Sequence, residues 1–228
     1  EVLNSVVNRG EIEVNGTNSS SDKGIGIGID SANITGNIEN TENGTIESSY
    51  LGIGVISETV VTGNIINNGS ITVANGDTEY STYGLWVEES TISGQVENNG
   101  TITANDKGIG IYIEDDSETA AVINNGTITA NDKGIGIFIE DSETAAVTNN
   151  SIITAGDNGI LVEHSDINGN ITNTEDASIT SGYKGIKIYG VTTISGSIIN
   201  AGAIDSFDNG IEVRGDEDEE VDTVSITG

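Results

Sequence analysis

The side chains able to do chemistry in this sequence are mostly carboxylates, amides and hydroxyls. Of 228 residues, 37 are Asp or Glu and 7 are Lys or Arg, for a formal net charge of −30, with one His and no Cys. Acid–base catalysis needs a positioned acid, base or nucleophile. His164 lies beside Glu163 and near Asp166, with no Ser or Cys nucleophile context, and reads as a surface residue. A glycosidase needs a carboxylate pair at a defined separation, and no pair stands out among so many acids. The basic residues are scattered, at Arg9, Lys23, Lys107, Lys133, Lys184, Lys187 and Arg214, so no basic cleft is expected. The chain is therefore expected not to be an enzyme. Without Cys there is no disulfide and no thiolate metal site. Hard cations take oxygen ligands. Acid-rich turns occur at Asp115-Asp116, Asp157-Asn158 and Asp216 to Glu220, and Asp216, Asp218 and Glu219 are the candidate ligands for a weakly bound calcium ion. No EF-hand or nonapeptide calcium spacing accompanies them, and no other cofactor is expected.

The hydroxyls recur in ranks. Ser70-x-Thr72, Thr101-x-Thr103, Thr127-x-Thr129 and Ser178-x-Thr180 occupy outward positions, making Thr72, Thr101, Thr103, Thr127, Thr129 and Thr180 a candidate flat binding face. The rank breaks at Glu11-x-Glu13, Thr45-x-Glu47, Ile152 and Ala203-x-Asp205, and Thr is an ordinary exposed strand residue. Trp86, Tyr112 and Phe138 fall outward on one strand position, where they could form a small carbohydrate or protein contact. Glycosylation sequons occur at Asn15, Asn18, Asn33, Asn43, Asn68, Asn99, Asn125, Asn149 and Asn170, most of them following from an Asn-Gly-Thr turn. The negative charge argues against nucleic acid and anionic lipid as partners. No 18-residue apolar run is present for a membrane-spanning helix, so membrane insertion is not expected.

The elements that must position these groups follow from an internal repeat. The segment from Asn98 to Glu114 recurs almost unchanged from Asn124 to Glu140, with Tyr112 replaced by Phe138. Weaker copies fill the chain. One core isoleucine recurs at Ile12, Ile46, Ile71, Ile102, Ile128, Ile153, Ile179 and Ile204. A following strand recurs at Ile25, Ile53, Leu85, Ile109, Ile135, Ile160, Ile186 and Ile211. A third passes through Ile38, Ile65, Val96, Val122, Val147, Ile171 and Ile198. The repeat is about 27 residues, with three short alternating strands and no helical periodicity, which predicts a solenoid rather than a propeller. The expected fold is an all-β, single-stranded parallel β-helix of about eight coils, right-handed by the crossover rule. It forms one domain over residues 1–228, a rod roughly 40 Å long at ~4.8 Å per coil.

An asparagine closes the third strand of nearly every coil. Asn40, Asn67, Asn98, Asn124, Asn149, Asn173 and Asn200 form a column, with Asn4 or Asn8 as the member in the first coil. A buried amide is costly unless paired, and stacked amides can bond from coil to coil. The column is therefore expected to be an internal structural ladder.

Gly63-Asn64-Ile65-Ile66-Asn67-Asn68-Gly69-Ser70-Ile71 and its counterparts resemble the β-strand repeats of bacterial and archaeal surface proteins, especially autotransporter passenger domains. That resemblance implies secretion and display at a cell surface. The Thr-x-Thr ranks resemble those of ice-binding β-solenoids. The expected function is an extracellular structural or adhesive rod: a stalk, filament subunit or adhesin segment. The alternatives are a glycan- or ice-binding module using the threonine face and, behind it, a polysaccharide-acting enzyme. The last residues read as the start of a coil and the first as its continuation, so the expected partners are copies stacked end to end or further coils of the same chain. Glycans or a host surface are the candidate ligands. Joining Gly228 to Glu1 keeps the coil phase if Asn4 is the ladder member, and less well if Asn8 is.

Overall fold

A computed structural model describes residues 2–16, 23–74, 81–105, 107–215 and 224–226. Every element among them is a β-strand, and each strand pairs in parallel with its counterpart one coil away. Two faces hold eight strands each, so seven full turns separate the first coil from the last. The first face runs from Glu11–Val14 to Ala203–Ser206, and the second from Ile25–Asp30 to Ile211–Arg214.

The third face differs from the single strand expected. A bend splits it into a two-residue and a three-residue piece, such as Val60–Val61 and Ile65–Asn67. Only Thr91–Asn98 and Glu118–Asn124 run through as continuous strands. The short piece supplies a further inward column that the sequence reading did not separate: Ile34, Val61, Ile92, Thr119, Thr144, Ile167 and Ile194, all buried.

Inside, like residues stack on like. Ile46, Ile71, Ile102, Ile128, Ile153 and Ile179 are fully buried in register, and each such side chain contributes roughly 1.5–3 kcal/mol. On the second face the register corrects the sequence reading. Ile27, Ile53, Leu85, Ile111, Ile137, Ile160, Ile186 and Ile211 form the inward column. Ile25, Ile109 and Ile135 sit two residues earlier and pair with Leu51 and Tyr83 in an outer column. The cause is a corner at the intervening glycine. A Cβ on Gly110 would stand 2.3 Å from Ile128 Cγ2 and 2.5 Å from the carbonyl oxygen of Gly136. Gly52, Gly84, Gly136, Gly159 and Gly185 are enclosed in the same way, so the corner admits no side chain.

The first residues also sit elsewhere in the coil than expected. Val2–Leu3 pairs with Asn33–Ile34, and Val6-Val7-Asn8 pairs with Ile38-Glu39-Asn40. Ser225–Ile226 pairs with Thr193–Ile194 and so shares the column of Val2–Leu3. The ladder member in the first coil is therefore Asn8, the alternative that weakens the phase match across a Gly228–Glu1 join.

Candidate functional site

The expected asparagine column is an unbroken amide ladder. Nδ2 of Asn8 donates to Oδ1 of Asn40 at 2.8 Å, and the same bond recurs between successive members through Asn67, Asn98, Asn124, Asn149 and Asn173 to Asn200, at 2.8–2.9 Å. Asn40 through Asn173 are fully buried. Their Nδ2 atoms also reach backbone carbonyls of the following turn, as Asn124 does to Ile152 at 3.2 Å. These amides face inward and hold coils together, and Asn149 is thereby closed to glycosylation in the folded chain.

A second ladder escaped the sequence reading. Thr59, Ser90, Ser117, Ser142, Ser165 and Thr192 form a buried hydroxyl column where the second face turns into the third. The backbone N–H of each of the first five donates to the hydroxyl oxygen of the next coil, for example Ser117 to Ser142 Oγ at 3.3 Å and Ser142 to Ser165 Oγ at 3.1 Å. The hydroxyls of Ser117 and Ser165 donate back to the carbonyls of Glu114 and Glu163 at 2.6 and 2.7 Å. These bonds close turns whose non-glycine residues take left-handed backbone angles: Glu89 (φ 46°), Asp116 (55°), Asp141 (44°) and His164 (49°). His164 is thus an exposed turn residue. It lines a shallow groove with Asp116, Asp141, Glu143 and Asp166. The available signal was the in-register recurrence of Ser90-Thr91-Ile92, Ser117-Glu118-Thr119, Ser142-Glu143-Thr144 and Thr192-Thr193-Ile194.

Outside the second face lies a column of aromatics and carboxylates. Tyr83 stacks on Trp86 (4.9 Å, 19° between planes) and on Tyr112 (5.7 Å, 10°), and Tyr112 on Phe138 (5.0 Å, 13°). Tyr50 closes the stack edge-on. Tyr112 and Phe138 retain only 7–8 % exposure and Trp86 is half-buried, which leaves little ring face open for a small carbohydrate or protein contact. Their ring faces cover one another.

Alongside, Glu88 is in register with Glu114 and Glu140 with Glu163. Trp86 Nε1 donates to Glu114 at 2.6 Å, and the Tyr112 hydroxyl donates to Glu140. Burial pushes the carboxyls of Glu88, Glu114 and Glu163 above their ordinary values. Asp115 and Glu89 add to this at Glu88, and Lys187 opposes it at Glu163. Burial, then the charge of Glu88, pushes the Tyr50 phenol up to about 12. One carboxylate oxygen from each of Glu88, Glu114 and Asp115 lies within 4.8 Å of the others, a separation at which acids can hold a hard cation between them. The calcium candidates Asp216, Asp218 and Glu219 lie outside the described residues.

The threonine candidates do come together on the first face. Thr72, Thr103, Thr129, Thr154 and Thr180 form one uninterrupted outward column, which includes Thr154, hidden in the sequence by Ile152. Ser70, Thr101, Thr127, Ile152 and Ser178 form the neighbouring column. Glu47 precedes the first of these columns and Asp205 follows it. Exposed amides border both. Asn99 donates to Asn68, Asn125 to Asn99 and Asn150 to Asn125 at 2.7–2.9 Å on one side, and Asn131 donates to Asn105 at 2.6 Å on the other.

The family model described as the BigA third pectate lyase-like domain matches residues 3–163 of this chain. Comparisons with curated proteins and with solved structures each give no match. The matched residues carry the internal ladder from Asn8 to Asn149, more than half of the chain. By that match and by its stacked parallel coils, the chain belongs to the family of the BigA third pectate lyase-like domain, a β-helix family of bacterial surface proteins.

Proposed function

We propose that this chain is a rod segment of an extracellular surface protein, of the autotransporter-passenger or adhesin kind, which sets a distance from the cell and presents its outer faces. The observation that carries this is continuity: the amide ladder runs from Asn8 to Asn200, with backbone ladders along all three faces. Such a body transmits load through parallel hydrogen bonds. Two inward residues of the last full coil, Ile211 and Val213, are 43–44 % exposed. In this reading further coils cover them, of the same chain or of a second copy. No turnover of polysaccharide is part of the reading. His164 serves a turn, and the amine of Lys184 is engaged by Asp208 at 2.8 Å and by Glu212, contacts that raise its pKa.

The test has two arms. Antibody to this chain should label unpermeabilised source cells, and the purified chain should release no reducing or unsaturated ends from polygalacturonate, alginate or neutral glucans. Labelling only after permeabilisation, or release of product above a heat-denatured control, overturns the reading.

A further inference from the structure

In a molecule of net charge −30, the first face carries no charge over several coils. Its outward residues there read Asn99, Thr101, Thr103 and Asn105 in one coil, and the next coil repeats the same four types. We propose that this amide–hydroxyl plate binds an extended, uncharged polysaccharide lying along the rod axis.

Four properties point to that ligand. The first is charge. Polyanions are repelled by the molecule as a whole, and a cationic partner would find its attraction on the carboxylate columns of the other faces, such as Glu88, Glu114 and Glu140. The second is bonding capacity. A primary amide has two N–H groups and two lone pairs: Asn99 spends one N–H on Asn68 and one lone pair on Asn125, keeping one of each, whereas Asn125 gives both N–H groups to Asn99 and the bordering Glu97 and one lone pair to Asn150, keeping one lone pair. The remainder faces outward beside threonine hydroxyls and methyls, which suits the mixed hydroxyl and C–H surface of a sugar ring.

The third is order. The lateral bonds fix the amide rotamers before any ligand arrives, as does the bond from Thr101 Oγ1 to Ser70 Oγ at 3.2 Å, which lowers the entropy cost of binding. The fourth is size. Columns ~6.6 Å apart and coils ~4.8 Å apart give a plate of roughly 300 Å². That is well below the roughly 800 Å² per partner of a stable protein interface. It matches a single linear chain with one ring per coil, since a β-linked pyranose is about as long as the coil rise. The proposal is independent of the rod reading, which stands whether or not this face binds.

The probes are cellohexaose, chitohexaose and mannohexaose, titrated into the purified chain at low and high salt. At least one should bind, with an affinity unaffected by salt, because no ion pair is formed. Thr103→Glu with Thr129→Glu should weaken it by at least ~10-fold while the thermal melt stays unchanged. If that pair fails to fold, Thr103→Val with Thr129→Val carries the same test, removing the hydroxyls at constant shape. Absence of binding by all three hexaoses overturns the proposal. So does binding that persists in the variants or that falls steeply with salt. Ice shaping or thermal hysteresis abolished by the same substitutions, without hexaose binding, would assign the face to ice instead.

Discussion

Replacing Asn124 with Ala puts the internal ladder to its most direct test. The side chain of Asn124 takes part in three hydrogen bonds: it accepts from Asn98 at 2.9 Å and donates to Asn149 at 2.8 Å and to the carbonyl of Ile152 at 3.2 Å. It is fully buried, so water cannot replace it without entering the core. Truncation strands a donor on Asn98 and an acceptor on Asn149. Asn98 retains long contacts to Gly100 and Thr127 at 3.4 and 3.3 Å, and Asn149 keeps Ser151 N at 3.4 Å. Each stranded group costs about 1–3 kcal/mol, and partial rescue by those contacts places the expected loss at roughly 3–4 kcal/mol. Asn125→Ala, one residue away on the exposed amide rank, should cost under ~1 kcal/mol because water replaces its partners. Asn124→Asp sharpens the test. A buried carboxylate cannot donate to Asn149, whereas the protonated acid can, so this variant should be weakest at neutral pH and recover on acidification. Urea unfolding followed by circular dichroism gives the three midpoints. If Asn124→Ala falls within ~1 kcal/mol of Asn125→Ala at equal slope, the ladder is not what holds these coils.

Three further outcomes are expected. Glu88, Glu114 and Glu163 have folded-state carboxyls raised by burial, so the stability they contribute is present below the ordinary glutamate value and is lost as pH rises through the raised values. The melting temperature should fall from mildly acid to neutral pH, and Glu114→Gln should flatten that profile; a melting temperature that climbs over this interval contradicts the assignment. Gly110→Ala should lose about 3 kcal/mol by forcing Cβ against Ile128 and the Gly136 carbonyl, whereas Gly10→Ala, with nothing within 4 Å, should stay near wild type in the same urea titration. Ser181 buries a hydroxyl without a hydrogen-bond partner in a column whose neighbour is Ala155, so Ser181→Ala should raise stability by about 1 kcal/mol in chemical denaturation.

The fold was legible because two coils are near copies. The shared segments from Asn98 and from Asn124 set the period, and every other coil could be aligned to them. The register of the second face was not legible. Ile109 and Ile111 are the same residue two apart, and strict alternation puts both on one side, whereas the closed corner at Gly110 turns Ile109 outward. Trp86, Tyr112 and Phe138 were correctly placed outside, but their burial depends on stacking between coils, which one strand cannot report. The hydroxyl ladder was hidden by chemistry: Ser and Thr are common in turns for local reasons, so Ser117 and Ser142 carry no individual mark of their partnership. The threonine rank looks broken in the sequence at Ile152, whereas in the structure Ile152 interrupts one column while Thr154 continues the other.

The direction of the internal amide bonds has a consequence of its own. In every step the lower-numbered asparagine donates and the higher-numbered one accepts, from Asn8 to Asn200. Eight side-chain dipoles, joined by seven bonds, therefore point the same way along the axis, and each polarises the next. At one extreme Asn8 offers its oxygen, which takes the N–H of Gly10 at 3.2 Å; at the other Asn200 offers its nitrogen, which gives to the Gly202 carbonyl at 3.2 Å. Turning one amide over inside the stack would set oxygen against oxygen on one side and nitrogen against nitrogen on the other. The column therefore behaves as a one-dimensional ferroelectric, in which orientation is a property of the whole row and a single reversed member is bounded by a domain wall on either side.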